Sequence, residues 1–425
     1  MTPSTKKIEA AKPNLRVNQY SVGGSAHEGG QVISGPWGAK PEVLLSIHET
    51  FEGLQDVWTQ LERDADCTAF QTYAWLSTWF RHIGKRSGIK PAIVVGREAG
   101  GKTLFIMPLG VKRGVIGIRL VWLGGCLCDY QGPVLAKDFA RHVRRDQFKT
   151  LWAGIRAALP HHDIVELDRL PEAIGGQGNP FLALGNVQPH ASNAHMTRLA
   201  PTWDEYYGAK RSSGSKKRDK QKRRKLEEFG AVELVTPDSR EKIGRTVDAL
   251  IAQKGATFAR MGVVNPFEKP GVRDFYMDLA RNETGLVHVC HLEVGGRIAA
   301  ANWGVSFGGR YHYVLSSYAE QEDFARRGPG MIQLMELIRH ATETGHTEFD
   351  FTIGDEAYKA DWCEVEICLF DHLEAVTLRG WLALLPAVLY RRVKRFIKQT
   401  PVLWDAFTRL RAAAGALVRP GVARV

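Results

Sequence analysis

Cysteine and long apolar runs are both scarce in this chain. It has only six cysteines in 425 residues, and only Cys126 and Cys128 lie close together. A disulfide framework is therefore excluded, and this spacing without a second pair does not predict zinc. No stretch approaches the roughly 18–20 consecutive apolar residues of a membrane-spanning helix, and the N-terminus lacks the apolar segment of a secretory signal. We expect a reduced, cytoplasmic protein with no metal.

The positive charge is concentrated in two segments. The net charge is +11, yet Lys210–Lys225 and Arg379–Val425 each carry ten Lys or Arg and one acid, or +9 apiece. The rest of the chain is therefore at −7. With 44% hydrophobic residues, this composition predicts a folded, mildly acidic body with two basic attachments.

Two blocks of the sequence share one order of predicted elements, namely three strands, a helix and a strand. Glycine pairs between strands predict tight hairpin turns. The order indicates a duplicated α/β unit. The first block comprises Pro91–Glu98, Thr103–Met107, Arg119–Leu123, the helix Phe139–Leu159 and Asp163–Leu167. The second comprises Gly285–Glu293, Arg297–Ala301, Tyr311–Leu315, the helix Met331–Thr344 and Glu348–Phe351.

A Gly-containing turn before the helix at Met331 is the first candidate site. Arg326, Arg327, Gly328 and Gly330 precede or open this helix. Free backbone N–H groups and the positive end of the helix dipole favour phosphate there, and the arginines add charge. An ordinary strand-to-helix turn, with Pro near the first helical position, explains the pattern equally well.

Polar and aromatic residues crowd the end of the next predicted strand. They are Asp350, Asp355, Tyr358, Lys359 and Trp362, around a turn at Gly354. Such groups at the carboxyl end of a strand are typical of a site in an α/β fold. The alternative is a capped helix start, with Asp355 as the cap and Trp362 in the core.

These motifs together resemble a known family. The resemblance spans about Val43 to His372 and lies in Phe70–Trp75, Met107–Leu109, Asp129–Pro133, Lys216–Glu228, Arg327–Gly330 and Phe349–Trp362. The chain resembles the CelD/BcsL-type acetyltransferases of bacterial envelope polysaccharide synthesis, cellulose and other exopolysaccharides included, a branch of the GNAT acyl-CoA transferases. Fem-type ligases, which move an amino acid from aminoacyl-tRNA to a peptidoglycan precursor, share this architecture.

The resemblance implies an α/β (α+β) fold of two tandem GNAT-like domains, each a mixed, mostly antiparallel sheet flanked by helices. We expect a disordered leader over residues 1–42 and domains over 43–200 and 201–373. The second domain is expected to carry the cofactor site, and a basic amphipathic extension follows over 374–425.

The implied co-substrate is acyl-CoA, specifically acetyl-CoA. Gly328 and Gly330 match the small positions of the pyrophosphate loop, whereas Ala325 stands where the family has Gln or Arg. Arg326 or Arg327 is expected to replace that side chain. The resemblance also assigns the cofactor Tyr313 and Leu315, on the strand that pairs with the pantetheine arm, together with Met331.

Direct acyl transfer needs a base for the acceptor and a donor for the developing charge. Asp350 and Asp355 are the base candidates, with His312 less favoured. Tyr358 is expected to protonate the leaving thiolate and Lys359 to stabilise negative charge. Each also has an ordinary structural explanation: Asp350 as a strand-end cap, His312 as a sheet residue, Lys359 as a solvated charge. Candidate substrate-binding residues are Asp129, Tyr130, Trp303, Trp362, Lys216 and Arg223.

The two basic segments suggest anionic partners. Lys210–Lys225 has no interleaved aromatic residues, so base stacking is not predicted, and it suits a lipid-linked sugar, a nucleotide sugar, a membrane surface or tRNA phosphates. In the second segment, Val388, Leu389, Val393, Phe396 and Ile397 share one helical face, which is typical of a helix lying on a membrane surface. A helix docked on the second domain is the alternative.

Three functions follow from these observations. The first is acyl transfer from acyl-CoA to an envelope saccharide or its lipid-linked precursor, with peripheral attachment to the inner membrane face. The second is Fem-type aminoacyl transfer, for which tRNA is the only nucleic acid expected. The third is a non-catalytic scaffold that binds nucleic acid or membrane.

Overall fold

The structure is a computed structural model that describes residues 16–17, 31–34, 43–320, 323–400, 403 and 407. The strands are β1 (Arg16–Val17), β2 (Gln31–Ser34), β3 (Val43–His48), β4 (Ala65–Asp66), β5 (Ile89–Pro91), β6 (Ile93–Glu98), β7 (Thr103–Met107), β8 (Leu109–Arg113), β9 (Ile118–Trp122), β10 (Val134–Ala136), β11 (Ile164–Pro171), β12 (Ala173–Ile174), β13 (Gln177–Gly178), β14 (Val187–Pro189), β15 (Ala194–Arg198), β16 (Val232–Val235), β17 (Val287–Val294), β18 (Arg297–Phe307), β19 (Arg310–Tyr318), β20 (Glu348–Ile353), β21 (Val365–Ile367) and β22 (Leu369–Ala375). The α-helices are α1 (Gln55–Glu62), α2 (Tyr73–Trp79), α3 (Phe139–His142), α4 (Arg145–Ala158), α5 (Trp203–Lys210), α6 (Ser213–Glu227), α7 (Arg240–Arg260), α8 (Val272–Asn282), α9 (Pro329–Glu343) and α10 (Leu378–Gln399).

Three large sheets organise these elements. The first has the order β1-β2-β3-β6-β7-β10-β4, the second β14-β22-β11-β9-β8-β5, and the third β16-β17-β18-β19-β20-β15-β21. Most neighbours are antiparallel, whereas β9 with β11 and β19 with β20 are parallel. Helices flank these mixed sheets, so the predicted α/β class is confirmed.

The second predicted block forms in the expected order, whereas the first contains two further strands, β8 and β10, and its predicted helix Phe139–Leu159 is divided into α3 and α4. In the second block the glycine pairs make true hairpin turns, because Gly295, Gly296, Gly308 and Gly309 all have positive φ, between 55° and 78°. Two consecutive positive φ values suit the right-handed twist of the flanking strands. In the first block, Pro108 separates β7 from β8, and the chain passes there from the first sheet to the second.

Two strands cross between the halves of the chain. β15 precedes residue 200 in sequence but pairs with β20 and β21 in the third sheet. Conversely, β22 lies near the end of the predicted second domain but pairs with β11 and β14 in the second sheet. The division at residue 200 remains a prediction, and each half contributes a strand to a sheet of the other.

Short strands also lie within the predicted disordered leader. β2 pairs with the free edge of β3, and β1 pairs with β2. The β-branched Val32 and Ile33 suit such an edge addition, and at these positions the structure differs from a disordered chain. The rest of residues 1–42 lies outside the described residues.

A shared hydrophobic core joins the two halves. Trp58 and Trp75 from the first half lie in one buried cluster with Phe275 and Trp303 from the second. The rings of Trp75 and Trp303 approach edge to face, with centroids 5.9 Å apart. Burial of such large rings across the junction holds the halves together.

Candidate active site

The parallel strands β19 and β20 separate shortly after they meet. Their pairing runs from Arg310 with Glu348 to His312 with Asp350 and goes no further. β19 then continues to Tyr318, while β20 stays paired with its other neighbour, β15, as far as Ile353. The divergence opens a wedge in the sheet at the carboxyl ends of two parallel strands, where α/β folds commonly bind ligands.

A β-bulge lies in β19 at the point of separation. Trp303 pairs with Leu315 and Val305 with His312, so one residue of β18, Gly304, lies opposite two of β19, Tyr313 and Val314. A bulge shifts the alternation of side chains along the strand. Tyr313 therefore packs on the α9 face, whereas both Val314 and Leu315 pack on the opposite core.

The amino end of α9 closes one side of the wedge. Gly328, with φ +75°, precedes Pro329, the first residue of the helix. A positive φ at this position favours glycine, and proline suits the first helical position because its missing N–H has no helical partner. The first turn therefore directs its positive dipole end towards the wedge.

A cavity of about 660 Å³ occupies the space between β19, α9 and the turn after β20. The residues that line it come from α6, α7, β19 and α9 and from the turns before α9 and after β20. They are Lys222, Lys254, Thr257, Tyr313, Ser316, Ser317, Tyr318, Ala325, Arg326, Gly328, Pro329, Gly330, Met331, Leu334, Glu356 and Tyr358. We call this the α9 cavity.

Most of the predicted cofactor-binding residues line the α9 cavity. Tyr313, Arg326, Gly328, Gly330 and Met331 do so. The structure does not bring in two others: Leu315 faces the opposite core because of the bulge, and Arg327 does not line the cavity. Their assignment to the cofactor therefore has no support from this geometry.

Two lysines that sequence reasoning did not single out also line the α9 cavity. Lys222 lies on the basic helix α6, and its methylene groups lie beside Gly328. Lys254 comes from α7; burial lowers its pKa, an effect that Glu356 opposes. With Arg326 they give the cavity three cations against the single carboxylate of Glu356. A pyrophosphate group fits this excess of positive charge beside a helix amino end.

Tyr358 lies in the same cavity with its hydroxyl kept neutral. Burial raises its pKa, and the neighbouring Tyr313 and Glu356 add to the effect. A neutral phenol in a cavity can donate a proton to a developing anion. The predicted role of Tyr358 stays a prediction, and its position is compatible with it.

Asp350 is fully buried and accepts several hydrogen bonds. The Tyr130 hydroxyl donates to its two oxygens at 2.8 and 2.9 Å, and the Thr352 N–H donates at 2.8 Å. His312 Nδ1 and Arg310 Nη1 each lie 3.4 Å from Oδ2. Burial would raise the pKa of Asp350, but His312, Arg310 and Tyr130 together outweigh it and hold that pKa below its usual value. A carboxylate stabilised in this way is a weak base.

A second cavity, of about 710 Å³, lies on the other face of β19 between the two halves. His312, Arg310 and Tyr130 belong to its lining, together with Asp64, Asp66 and Glu172 from the first half. His312 is only 1% exposed, and neither ring nitrogen makes a hydrogen bond. Nδ1 lies towards Asp350, and Nε2 is a buried ring nitrogen without a hydrogen bond. We call this space the interdomain cavity.

Lys359 and Asp355 lie apart from both cavities. The Lys359 ammonium donates to the carbonyl oxygens of Thr352 and Gly354, at 3.1 and 3.0 Å, and lies 3.0 Å from Glu356 Oε2. It therefore ties down the turn after β20. The half-exposed carboxylate of Asp355 lies 3.5 Å from His195 Nε2. The catalytic roles predicted for both residues remain predictions that this geometry does not favour.

The predicted substrate-binding residues are dispersed. Tyr130 lines the interdomain cavity, whereas Trp303 is in the shared core and donates its indole N–H to Tyr276 O at 3.2 Å. Trp362 is buried, 4.9 Å from the Arg211 guanidinium over its ring. Arg223 bonds Glu336, which joins α6 to α9.

The other two predicted substrate-binding residues lie far apart in environment, one near the surface and one at the junction of the two halves. Lys216 lies over the Tyr207 ring at 5.7 Å, near the surface of α6. Asp129 lies at the junction of the halves, 3.8 Å from Arg169. Burial raises the pKa of Asp129 to about 6, although Arg169 and Thr352 oppose the shift.

Comparison with known families identifies the second half. Residues 213–360 match the family model described as an acetyltransferase (GNAT) domain. The chain contains a GNAT acetyltransferase domain. The matched segment includes every residue from Lys222 to Tyr358, and thus the whole lining of the α9 cavity. The protein is an acyltransferase by class, and GNAT domains use acyl-CoA.

The fold over about three quarters of the chain is also similar to a solved structure. The crystal structure of FemX superimposes with a TM-score of 0.55 at 12% identity, covering 78% of this chain and 98% of FemX. A tandem GNAT protein from the clavulanic acid biosynthesis pathway gives a TM-score of 0.41 at 13% identity, covering 79% and 99% of the two chains. No curated protein matches significantly. The likeness to FemX concerns the fold alone.

The described residues contain neither a metal-ligand cluster nor a membrane-spanning helix. No group of three or more His, Cys, Asp or Glu side chains there is arranged to hold a metal ion. No helix in that part of the chain combines the length and the apolar content needed to cross a bilayer.

Proposed function

We propose that the GNAT domain transfers an acetyl group from acetyl-CoA to a hydroxyl or amine of an envelope saccharide or its lipid-linked precursor, as in the CelD-type enzymes. The observation that carries the proposal is the α9 cavity, where the separated strands β19 and β20, the Gly328–Gly330 turn and three cations meet. A thioester donor brings an activated acyl group and an anionic pyrophosphate to this space.

The residues of the α9 cavity divide into two groups. Lys222, Arg326 and the first turn of α9 would hold the phosphates, since they combine cations with the positive end of a helix. Tyr358 lies in the same cavity with a neutral hydroxyl and would supply a proton to the leaving sulfur.

The interdomain cavity suits the acceptor. Six carboxylates line it, those of Glu62, Asp64, Asp66, Glu172, Glu348 and Glu366, against the cations of Arg63, Lys137 and Arg310. Carboxylates accept hydrogen bonds from sugar hydroxyls and amines. Tyr130 and Phe307 add ring surface to the same cavity.

Within this proposal His312 is the better base and Asp350 the residue that positions it. Asp350 is buried and its oxygens are engaged by Tyr130 and Thr352, whereas His312 has a ring nitrogen without a hydrogen bond and lines the interdomain cavity. A buried carboxylate behind a histidine can fix the orientation of the ring.

Fem-type aminoacyl transfer is the second candidate. The FemX-like fold supports it, as does the exposure of Lys217, Arg218, Lys220 and Arg224 on α6. These side chains would contact tRNA phosphates, and such binding weakens steeply with salt.

Calorimetry separates the candidates. We expect acetyl-CoA to bind the wild type and Gly330→Trp to abolish binding, because the indole would fill the α9 cavity. Gly285→Trp is the matched control: Gly285 is exposed, its φ is not positive, and no atom lies within 4 Å of an added Cβ.

Each outcome assigns one function. Salt-dependent tRNA binding without acetyl-CoA binding would favour Fem-type transfer. Failure of both ligands to bind would refute the donor site and favour a scaffold. Acetyl-CoA binding without acetyl transfer to any saccharide or lipid-linked acceptor would keep the donor site and refute the acceptor.

A further inference from the structure

Helix α10 is fixed on the body by one narrow face. Thr377 caps the helix and donates its hydroxyl to Asp163 Oδ1 at 2.7 Å, and the Val376 N–H donates to Asp163 O at 2.8 Å. Gly380 and Ala383 are buried on this face. A Cβ on Gly380 would lie 1.9 Å from Asp163 O, so the helix backbone packs directly against the start of β11. This contact sets the rotation of the helix about its axis.

The face of α10 that points away from the body is apolar and exposed. Its large side chains are spaced three or four residues apart, which places them in one stripe along the helix. They are Leu378, Leu382, Leu385, Leu389, Val393 and Phe396, between 47% and 88% exposed, with Trp381 and Tyr390 at the edges. We call this set the α10 stripe.

The exposed apolar face of α10 differs in part from the face that the sequence pattern predicts. Leu389, Val393 and Phe396 are exposed as a group, whereas Val388 and Ile397 are half-buried at the sides. The predicted apolar face is therefore largely exposed, while Gly380, Ala383 and Arg395, which donates to His190 O at 3.0 Å, contact the body. Single exposed apolar side chains are ordinary, but a continuous line of them marks an interaction surface.

The charge around the α10 stripe selects one class of partner. Arg379 and Arg392 are exposed beside it, and the segment from Arg379 to the end of the chain carries ten cations and one acid. An apolar helical face with Trp and Tyr at its edges, surrounded by cations, matches a membrane surface with anionic headgroups. If a second copy of the same helix covered the stripe, the cations of the two copies would repel each other.

We infer that α10 is an interfacial helix that binds the protein to an anionic lipid surface, with the α10 stripe inserted at the headgroup boundary and the helix axis parallel to the membrane. The inference is independent of the identity of the acyl acceptor. It would hold the body of the enzyme at the bilayer by the edge where β11 meets α10.

Vesicle sedimentation of the full chain tests the inference. The probes are vesicles of phosphatidylcholine alone and vesicles with about one third phosphatidylglycerol. We expect strong binding to the anionic vesicles and at least about tenfold weaker binding to the neutral ones, since juxtamembrane cations bind anionic lipid. The double variant Leu382→Glu with Leu389→Glu should weaken binding to anionic vesicles at least about tenfold.

A matched control separates the stripe from exposed apolar surface in general. Met261 and Val264 are 39% and 75% exposed between α7 and α8, so the double variant Met261→Glu with Val264→Glu adds the same two carboxylates outside α10. This control should bind vesicles like the wild type. Circular dichroism and acetyl-CoA binding should be unchanged in all variants, because the substituted side chains are exposed and outside the α9 cavity.

Two results would overturn the inference. One is equal binding of the wild type and the double variant to anionic vesicles. The other is a stable dimer in sedimentation velocity that the double variant dissociates and that binds no vesicle, which would show that a second copy covers the stripe.

Discussion

Substituting Lys359 by methionine distinguishes a structural lysine from a catalytic one. The side chain is only 4% exposed, and its ammonium is shared among Thr352 O, Gly354 O and Glu356. Methionine keeps most of the length but offers no donor. The two carbonyl oxygens at the end of β20 would then lose their bonds to the ammonium.

The expected loss of stability follows from those bonds. A hydrogen bond to a charged group contributes about 1.5–3 kcal/mol, and a buried acceptor left without a donor costs about 1–3 kcal/mol. The pair with the half-exposed Glu356 adds little because solvent screens it. We therefore expect Lys359→Met to lower the free energy of unfolding by about 3 kcal/mol, which corresponds to about 6–12 °C in Tm for a domain of this size.

Urea and thermal unfolding, followed by tryptophan fluorescence, measure this loss. Lys242→Met is the control, because Lys242 is exposed and pairs only with the exposed Asp238, 2.9 Å away. It should change the free energy of unfolding by less than about 0.5 kcal/mol. If Lys359→Met unfolds like the wild type but turns over at least about tenfold more slowly, the structural explanation is wrong and Lys359 acts in the chemistry.

Three further predictions concern the two cavities and their junction. Tyr358→Phe should leave acetyl-CoA binding intact and lower turnover at least about tenfold, about 1.4 kcal/mol in barrier; unchanged turnover would remove Tyr358 from the reaction. His312→Gln should lower turnover as much as the double variant His312→Gln with Asp350→Asn, because the two residues act as a unit; additive losses would separate their roles. The pKa of Asp129 is raised to about 6 in the folded protein, so the fold favours the neutral carboxyl group. The stability that this group contributes is therefore present below about pH 4 and is lost as pH rises through 6. Between pH 4 and 7 the Tm of Asp129→Asn should therefore fall less than the Tm of the wild type. Parallel plots of Tm against pH for the two proteins would contradict the raised pKa of Asp129.

Local sequence pattern determined much of this protein. Apolar alternation located β6, β7, β17, β18 and β19, and glycine pairs located their turns, because these signals depend on neighbouring residues alone. The Gly328–Gly330 turn before α9 was also readable, since a positive φ and a helix start each have a local signature. The basic helix α6 was visible as charge, and it contained Lys222.

Tertiary structure decided which of these residues meet. The exchange of β15 and β22 between the halves arises from pairing across 150 residues or more, for which no local pattern exists. The bulge in β19 directs the Leu315 side chain into the core. The turn at Gly354 buries Lys359 against the carbonyl oxygens of Thr352 and Gly354. Lys254 had no sequence signal, because a single lysine on a helix becomes a cavity residue only when another strand is packed beside it. Side-chain direction and burial depend on contacts that are distant in sequence, and these contacts, rather than residue type, set which groups are free to react.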